Sequence, residues 1–309
     1  MKPIRTAALV GMGAIGAFCA PALQKALGDN FSVVAGGERA ARIKRGVNIN
    51  GKLYSFPLIS PAEGEPADLV LIAVKRNALE DALGDIKALV GPGTVILSLL
   101  NGLDSEEMAR AAFPEASVLY SVVYVSSGLR DGAFCFDPAL GYIAFGEAGG
   151  RSPSRQVEAV RELFDRCGLR YKIREDMILE IWRKLLSNVA QNLPCALIGS
   201  PIASVQRSEH MRALSMGSML EVVAAARAEG VNLTSDDCES VARKTALQAP
   251  ANAPSTLQDI MAGRKTEVEM LAGSIVRISE KHGLRAPFCE FFCHAINALE
   301  EKNEGKFDV

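Results

Sequence analysis

The segment that most restricts the fold is Ala7-Ala8-Leu9-Val10-Gly11-Met12-Gly13-Ala14-Ile15-Gly16. Its first half continues a β-like run from Ile4 and is almost wholly apolar, as expected of a strand covered on both faces. Its second half has the GxGxxG spacing and opens a helical pattern over residues 14–27. A glycine motif alone is weak, but placed between a strand and a helix it is informative. In that setting Gly11 permits a tight turn, Gly13 lets the backbone approach a pyrophosphate, and Gly16 lets helix and strand pack closely. The helix N-terminus adds N–H groups without intrahelical acceptors and the positive end of the helix dipole. Gly11, Met12, Gly13, Ala14, Ile15 and Gly16 are therefore the candidate phosphate-binding turn for a dinucleotide. Thr6 to Gln24 carries no charge and follows Lys2 and Arg5, which imitates a signal peptide. The glycines and Pro21 favour a buried strand and helix instead, and no membrane is expected.

The alternation continues. Phe31–Ala35, Asp68–Val74 (DLVLIAV), Thr94–Leu99 (TVILSL), Ser117–Val125 and Tyr142–Phe145 read as strands, and Asn77–Val90 as a helix closed by Gly91-Pro92-Gly93. Strands alternating with helices imply a doubly wound parallel sheet. Residues 149–154 read as a loop, and a short strand over Gly168–Lys172 closes this half. Beyond it lie helical patterns at Asp176–Asn192, Val205–Glu229, Ser235–Leu247, Lys265–His282 and Phe288–Lys302. The expected architecture is α/β: a Rossmann-like N-terminal domain over residues 1–174 and an all-helical C-terminal domain over 175–309. With 309 residues, 49% of them hydrophobic and 23% charged, the chain is long enough for two globular domains. A net charge of −2 offers no basic field for nucleic acid. Seven scattered cysteines without a CxxC pair read as reduced thiols of a cytoplasmic protein. Cys289, Cys293 and His294 stand among Phe288, Phe291 and Phe292, so a packed helix is expected there and no metal site.

Cofactor choice turns on the end of the second strand, where an acidic residue would hold a ribose without a 2′-phosphate. Gly36-Gly37 stands there, followed by Glu38, Arg39, Arg42, Lys44 and Arg45, which favours NADP; a solvated basic helix face is the alternative. Lys75 and Asn101 lie just past the carboxyl ends of two predicted parallel strands, where ligands of open α/β sheets bind.

In the helical half, Lys184, Asn188 and Asn192 are spaced i, i+4, i+8 and form one polar stripe on a helix rich in Ile and Leu. Burial of such a stripe would lower the lysine pKa and make its ammonium a proton donor near neutral pH. An exposed polar face is the alternative, though amides are poor choices for one. Asn252-Ala253-Pro254-Ser255-Thr256-Leu257-Gln258 makes Ser255 either a capping-box residue with Gln258 or a ligand contact. Glu267 falls in helical register with Leu271, Ile275 and Ile278, which predicts a carboxylate on a buried face or else a first-turn acid facing the helix dipole.

Taken in order, GMGAIG, Lys75, Asn101-Gly102, WRKLLSNVAQN, NAPSTLQDI and the KTE ending at Glu267 resemble the ketopantoate reductase (2-dehydropantoate 2-reductase) family over nearly the whole chain. The resemblance implies NADPH-dependent reduction of a 2-oxo acid in pantothenate biosynthesis. Lys184 would be the general acid, Glu267 would hydrogen-bond the substrate, and Asn101, Asn188, Asn192, Asn252 and Ser255 would position its carboxylate and hydroxyl groups. Many members carry Arg where this chain has Gly36, which moves the 2′-phosphate contact to Arg39 or Arg42. Members often continue Asn-Pro-Leu-Thr-Ala where this chain has Asn192-Leu193-Pro194-Cys195-Ala196, and no further substrate asparagine stands near Ile202. A related 2-oxo acid or imine reductase is therefore an alternative, as is a non-catalytic NADP-binding regulator. A small 2-oxo acid is the expected partner, and a second copy of the chain is a candidate one.

Overall fold

In the first strand, β1 (Ala7–Val10), every residue is buried. Ala7 and Leu9 enter one apolar cluster while Ala8 and Val10 enter another, because alternate side chains of a strand point to opposite faces. A computed structural model, described over residues 2–150 and 153–307, shows how both faces are covered. It divides into two compact units, Met1–Ile178 and Leu179–Val309.

In the first unit the strands are β1, β2 (Phe31–Val34), β3 (Val47–Ile49), β4 (Lys52–Tyr54), β5 (Leu58–Ile59), β6 (Leu69–Ile72), β7 (Val95–Ser98), β8 (Ser117–Tyr124), β9 (Ser127–Arg130), β10 (Ala133–Phe136), β11 (Tyr142–Gly146) and β12 (Tyr171–Ile173). The helices are α1 (Ala14–Leu27), α2 (Gly37–Lys44), α3 (Leu79–Asp85), α4 (Ser105–Ala112) and α5 (Arg155–Cys167). Eight strands form one sheet in the order β12-β11-β8-β7-β6-β1-β2-β5. Strands β5 to β8 of that order run parallel with β1 and β2, whereas β11 is antiparallel to β8. The all-parallel expectation thus holds for the centre and fails at one edge. There a hairpin-type return replaces a crossover helix between β8 and β11. One cluster joins the sheet to α1 and α5, the other to α3 and α4.

A second, four-stranded sheet, β4-β3-β10-β9, has no counterpart in the sequence reading. Its strands are three or four residues long, too short for period-2 alternation to stand out. The predicted helix over 77–90 is broken into 3₁₀ turns at Arg76–Ala78 and Lys87–Leu89 around a short α3. Within the loop predicted at 149–154, residues 151 and 152 lie outside the described residues.

The second unit is built from α6 (Met177–Ile198, which starts in the first unit's last residues), α7 (Ala203–Arg207), α8 (Glu209–Ala228), α9 (Ser235–Ala246), α10 (Ser255–Met261), α11 (Ser274–Lys281) and α12 (Pro287–Asn303). The single helix expected over 205–229 is two, because the Ser208 hydroxyl accepts from the Met211 N–H and caps α8. A π-helical turn, Glu269–Gly273, precedes α11. Buried Glu221 of α8 accepts the Phe288 and Cys289 N–H groups, each at 2.8 Å, and so caps α12 from a distance in sequence. Among the described residues no helix is long and apolar enough to cross a membrane, and no group of His, Cys, Asp or Glu could hold a metal ion.

Candidate active site

At the first unit's glycine turn, Gly11 adopts φ +101°, a backbone state that L side chains rarely take. A β-carbon there would stand 2.5 Å from the carbonyl of Ala73, at the end of β6. At Gly16 it would collide with the carbonyl of Gly11, so this residue sets the closeness of helix and strand. Gly13 differs: a β-carbon would meet nothing within 4 Å, and the residue heads α1 with no side-chain cap and no acid in the first turn. Two glycines thus serve the turn itself, while the third leaves an open cradle beneath N–H groups aimed outward. That combination fits a pyrophosphate. Met12 is buried beside it, and Ala14 and Ile15 are half-buried.

Register carries the other first-unit candidates to the same sheet edge. Val10 pairs with Val34 and with Ile72, and Ile72 pairs with Ser98. Gly11, Gly36, Lys75 and Asn101 therefore follow the carboxyl ends of adjacent strands, with the chain turning to opposite sides of β1. Lys75 and Arg39 are exposed and Asn101 is half-buried. An Arg76–Asp104 ion pair at 2.8 Å ties the loop bearing Lys75 to the loop bearing Asn101. At Gly36 a β-carbon would lie 3.0 Å from the Pro61 ring, so that ring closely limits any side chain at this position.

Beneath the Asn101 loop lies a buried network that the sequence reading missed. The Ser98 hydroxyl donates to Ser105, and Ser105 donates to Glu106, each at 2.7 Å; the Ser121 hydroxyl donates to the Ser98 carbonyl. Glu106 looks in sequence like an ordinary first-turn acid, and only the packing of α4 on β7 and β8 buries it. Burial pushes its carboxyl up to about 7, against the opposing pull of the Ser105 hydroxyl and more weakly of Arg110. The folded chain thus retains a proton between about 4.5 and 7 that the unfolded chain releases, and stability falls as pH rises through that window. Glu106→Gln is expected to remove this slope, worth roughly 3 kcal/mol. Urea midpoints at pH 5 and pH 8 measure it, and an unchanged slope in the variant would refute the assignment.

In the second unit, Asn188 and Asn192 of α6 are buried and Lys184 is half-buried, so the stripe is not an exposed face. From Leu185 to Ile198 the helix has no charge, a signal of burial all round. Burial lowers the Lys184 pKa to about 8. The Asn192 amide donates to the Ser255 hydroxyl at 3.1 Å. Asn252 donates to Gln248, Gln248 to Gln191, and Gln191 to Thr245, at 3.1, 3.2 and 2.8 Å. The stripe and the 252–255 segment are thereby joined by side-chain amides. Gln191 belongs to the same α6 run, and its sequence signal is an amide within the uncharged 185–198 stretch.

Two expectations are corrected here. Ser255 is the first residue of α10, not its cap: Pro254 holds the cap position, and the Gln258 amide donates to the Ala253 carbonyl. The capping box does not form, which leaves the exposed Ser255 hydroxyl to Asn192. Glu267 precedes its helix, and the π turn that follows shifts the register assumed for it. It is half-buried, and its carbonyl accepts from the Met270 and Leu271 N–H groups.

Residues 7–150 match the ketopantoate reductase PanE/ApbA family, and residues 176–300 match the C-terminal region of the same family. The 2-dehydropantoate 2-reductase of Archaeoglobus fulgidus is 29% identical over 89% of this chain and 91% of its own length. That of Streptococcus pyogenes serotype M3 is 29% identical over 79% of this chain and 80% of its own. Among solved structures, the 2-dehydropantoate 2-reductase of Geobacter metallireducens superposes with a TM-score of 0.82 at 26% identity, covering 95% of this chain and 99% of that one. A D-mandelate dehydrogenase solved with NADH and anilino(oxo)acetate shares the fold with a TM-score of 0.84 at 24% identity, over 97% and 99% of the two chains. With residues 7–150 and 176–300 matched in order, the chain belongs to the ketopantoate reductase family of nicotinamide-dependent oxidoreductases.

Proposed function

We propose that the chain reduces the ketone of a 2-oxo acid with NADPH, ketopantoate being the substrate its family implies, and that Lys184 is the general acid. The observation that carries this reading is the buried stripe itself: a lysine with its pKa lowered to about 8, followed on the same helix by two buried asparagines. When bound, the nicotinamide supplies the hydride. Hydride arrival at a ketone carbon develops charge on the oxygen, and the Lys184 ammonium, held in a partly dry setting, stabilises that charge and releases its proton there. Asn188, Asn192, Asn252 and Ser255 are the hydrogen-bonding groups for the acid's carboxylate and hydroxyl, and Glu267 accepts from the substrate. Gly11 to Gly16 hold the pyrophosphate, with Lys75 and Asn101 on the neighbouring strand ends.

Ketopantoate is one member of the substrate class this site accepts. Ile202, where members of the family place an additional asparagine nearby, is fully buried in this chain, which favours testing other 2-oxo acids beside it. A panel of 2-oxo acids with NADPH, followed at 340 nm, tests the activity. Steady cofactor oxidation with at least one is expected, and none with any would refute the reading in favour of a binding protein.

NADPH is expected to bind more tightly than NADH, since no carboxylate stands at Gly36-Gly37 to accept from a free ribose hydroxyl. Arg39→Ala should weaken NADPH binding by about 1 to 3 kcal/mol and leave NADH nearly unchanged, because only NADPH loses a charged hydrogen bond. Equal dissociation constants for the two cofactors in the wild type would overturn the preference.

A further inference from the structure

Glu300 lies in the last turns of α12, thirty-three positions from Glu267 in sequence, and is 5% exposed. A carboxylate so placed requires donors. One oxygen accepts from the Thr266 N–H at 2.8 Å and from the Thr266 hydroxyl at 2.6 Å. The other pairs with Lys265 at 3.0 Å, and Lys265 also reaches Glu304 at 2.7 Å. The next residue is Glu267, whose carbonyl starts the following helical segment by accepting from Met270 and Leu271.

The backbone on each side of Glu267 is therefore held. On one side Glu300 grips the peptide N–H and hydroxyl of Thr266, and on the other the first helical turn grips the Glu267 carbonyl. Without Glu300, residues 262–266 would be a non-helical connection containing exposed residues and Gly263 at φ +63°. Its other anchors include Arg264, whose N–H and guanidinium both bond to Asp259 at 2.9 Å, and the Lys265 ammonium on exposed Glu304 at 2.7 Å. Neither bonds the Thr266 peptide N–H, which is the group Glu300 holds.

We infer that Glu300 is a positioning residue for the reaction: by clamping Lys265-Thr266 it orients Glu267 toward the substrate without touching substrate itself. This rests on the reading of Glu267 as a substrate contact. Orientation errors of an ångström in a binding group weaken productive binding, so loss of the clamp should be read mainly in KM.

A double-mutant cycle on the full-length enzyme tests this, with ketopantoate as the probe and NADPH saturating. Glu300→Ala is expected to raise KM about tenfold, with kcat changed less and NADPH affinity unchanged. In a Glu267→Ala background the same change should alter kcat/KM by less than about twofold, because the group it positions is gone. Glu300→Gln, whose amide oxygen still accepts from Thr266, should recover most of the wild-type KM. An equal loss from Glu300→Ala in both backgrounds would make Glu300 a purely structural staple and overturn the inference. If Glu267→Ala alone leaves KM unchanged, the substrate role of Glu267 fails first, and the inference fails with it. Should Glu300→Ala not fold, Thr266→Ala, which removes the hydroxyl's donation to Glu300 and its acceptance from the Val268 N–H at 3.2 Å, serves in the same cycle, with an expected rise of about threefold in KM; no rise would overturn the inference.

Discussion

Replacing Lys184 with alanine is expected to lower kcat for the best 2-oxo acid by about 10²-fold or more, while NADPH affinity stays within a few fold. A proton donor acts as charge develops on the oxygen, so its removal is felt in the transition state and hardly at all in cofactor binding. Lys184→Arg should not restore the rate, since guanidinium is a poor acid and a different shape. The pH profile adds a second reading. Burial sets the Lys184 pKa at about 8, so the ammonium is present below that value and lost above it. Turnover in the direction of reduction should fall above pH 8, approaching tenfold per unit, and this limb should vanish in Lys184→Ala. A variant with near-normal kcat, or one that loses NADPH instead, would show that Lys184 is not the acid.

Gly11→Ala and Gly13→Ala should fail in different ways. At Gly11 the added β-carbon meets backbone atoms of Ala73 at 2.5 Å and the nitrogen of Val74 at 2.7 Å, on a residue whose φ is already +101°. Left-handed strain costs about 1 to 3 kcal/mol and overpacking about as much again. Against a typical domain stability of about 5 to 15 kcal/mol, that is a large loss, and a clear drop in Tm is expected. At Gly13, with φ −95° and open space where the β-carbon would go, Tm should barely change. NADPH affinity should nevertheless fall by at least about tenfold, because the methyl group stands where the pyrophosphate approaches. Thermal unfolding together with cofactor titration separates the two. A Gly13→Ala protein that binds NADPH as the wild type does would remove this turn from the cofactor site.

The central strands, the glycine turn and most of the helices were legible in sequence because each rests on a local rule. Continuous apolar runs mark doubly covered strands, and apolar periodicity marks helices. The Lys184 stripe was legible for the same reason, since spacing along one helix needs no knowledge of its neighbours. The short strands over 47–54 and 127–136 were not, because three or four residues carry too little pattern and the two local hairpins they form are joined only through the β3–β10 pairing, far apart along the chain. Glu267 was misplaced onto a regular helix because periodicity counted backward from Leu271 cannot register a π turn.

What the sequence determined by itself is therefore the chemistry on offer: a glycine turn between a strand and a helix, basic residues after the second strand, a lysine and amides on one helical face, and a carboxylate at 267. Tertiary structure alone decided which of these groups are dry and which are held. Glu106, Glu221 and Glu300 read alike in sequence, as acids on helices, and each meets a different segment outside its own helix: the Ser121 N–H of β8, the start of α12, and the Lys265-Thr266 peptide. The physical reason is that desolvation and hydrogen bonding of a charged group depend on residues tens of positions away, which local spacing does not encode.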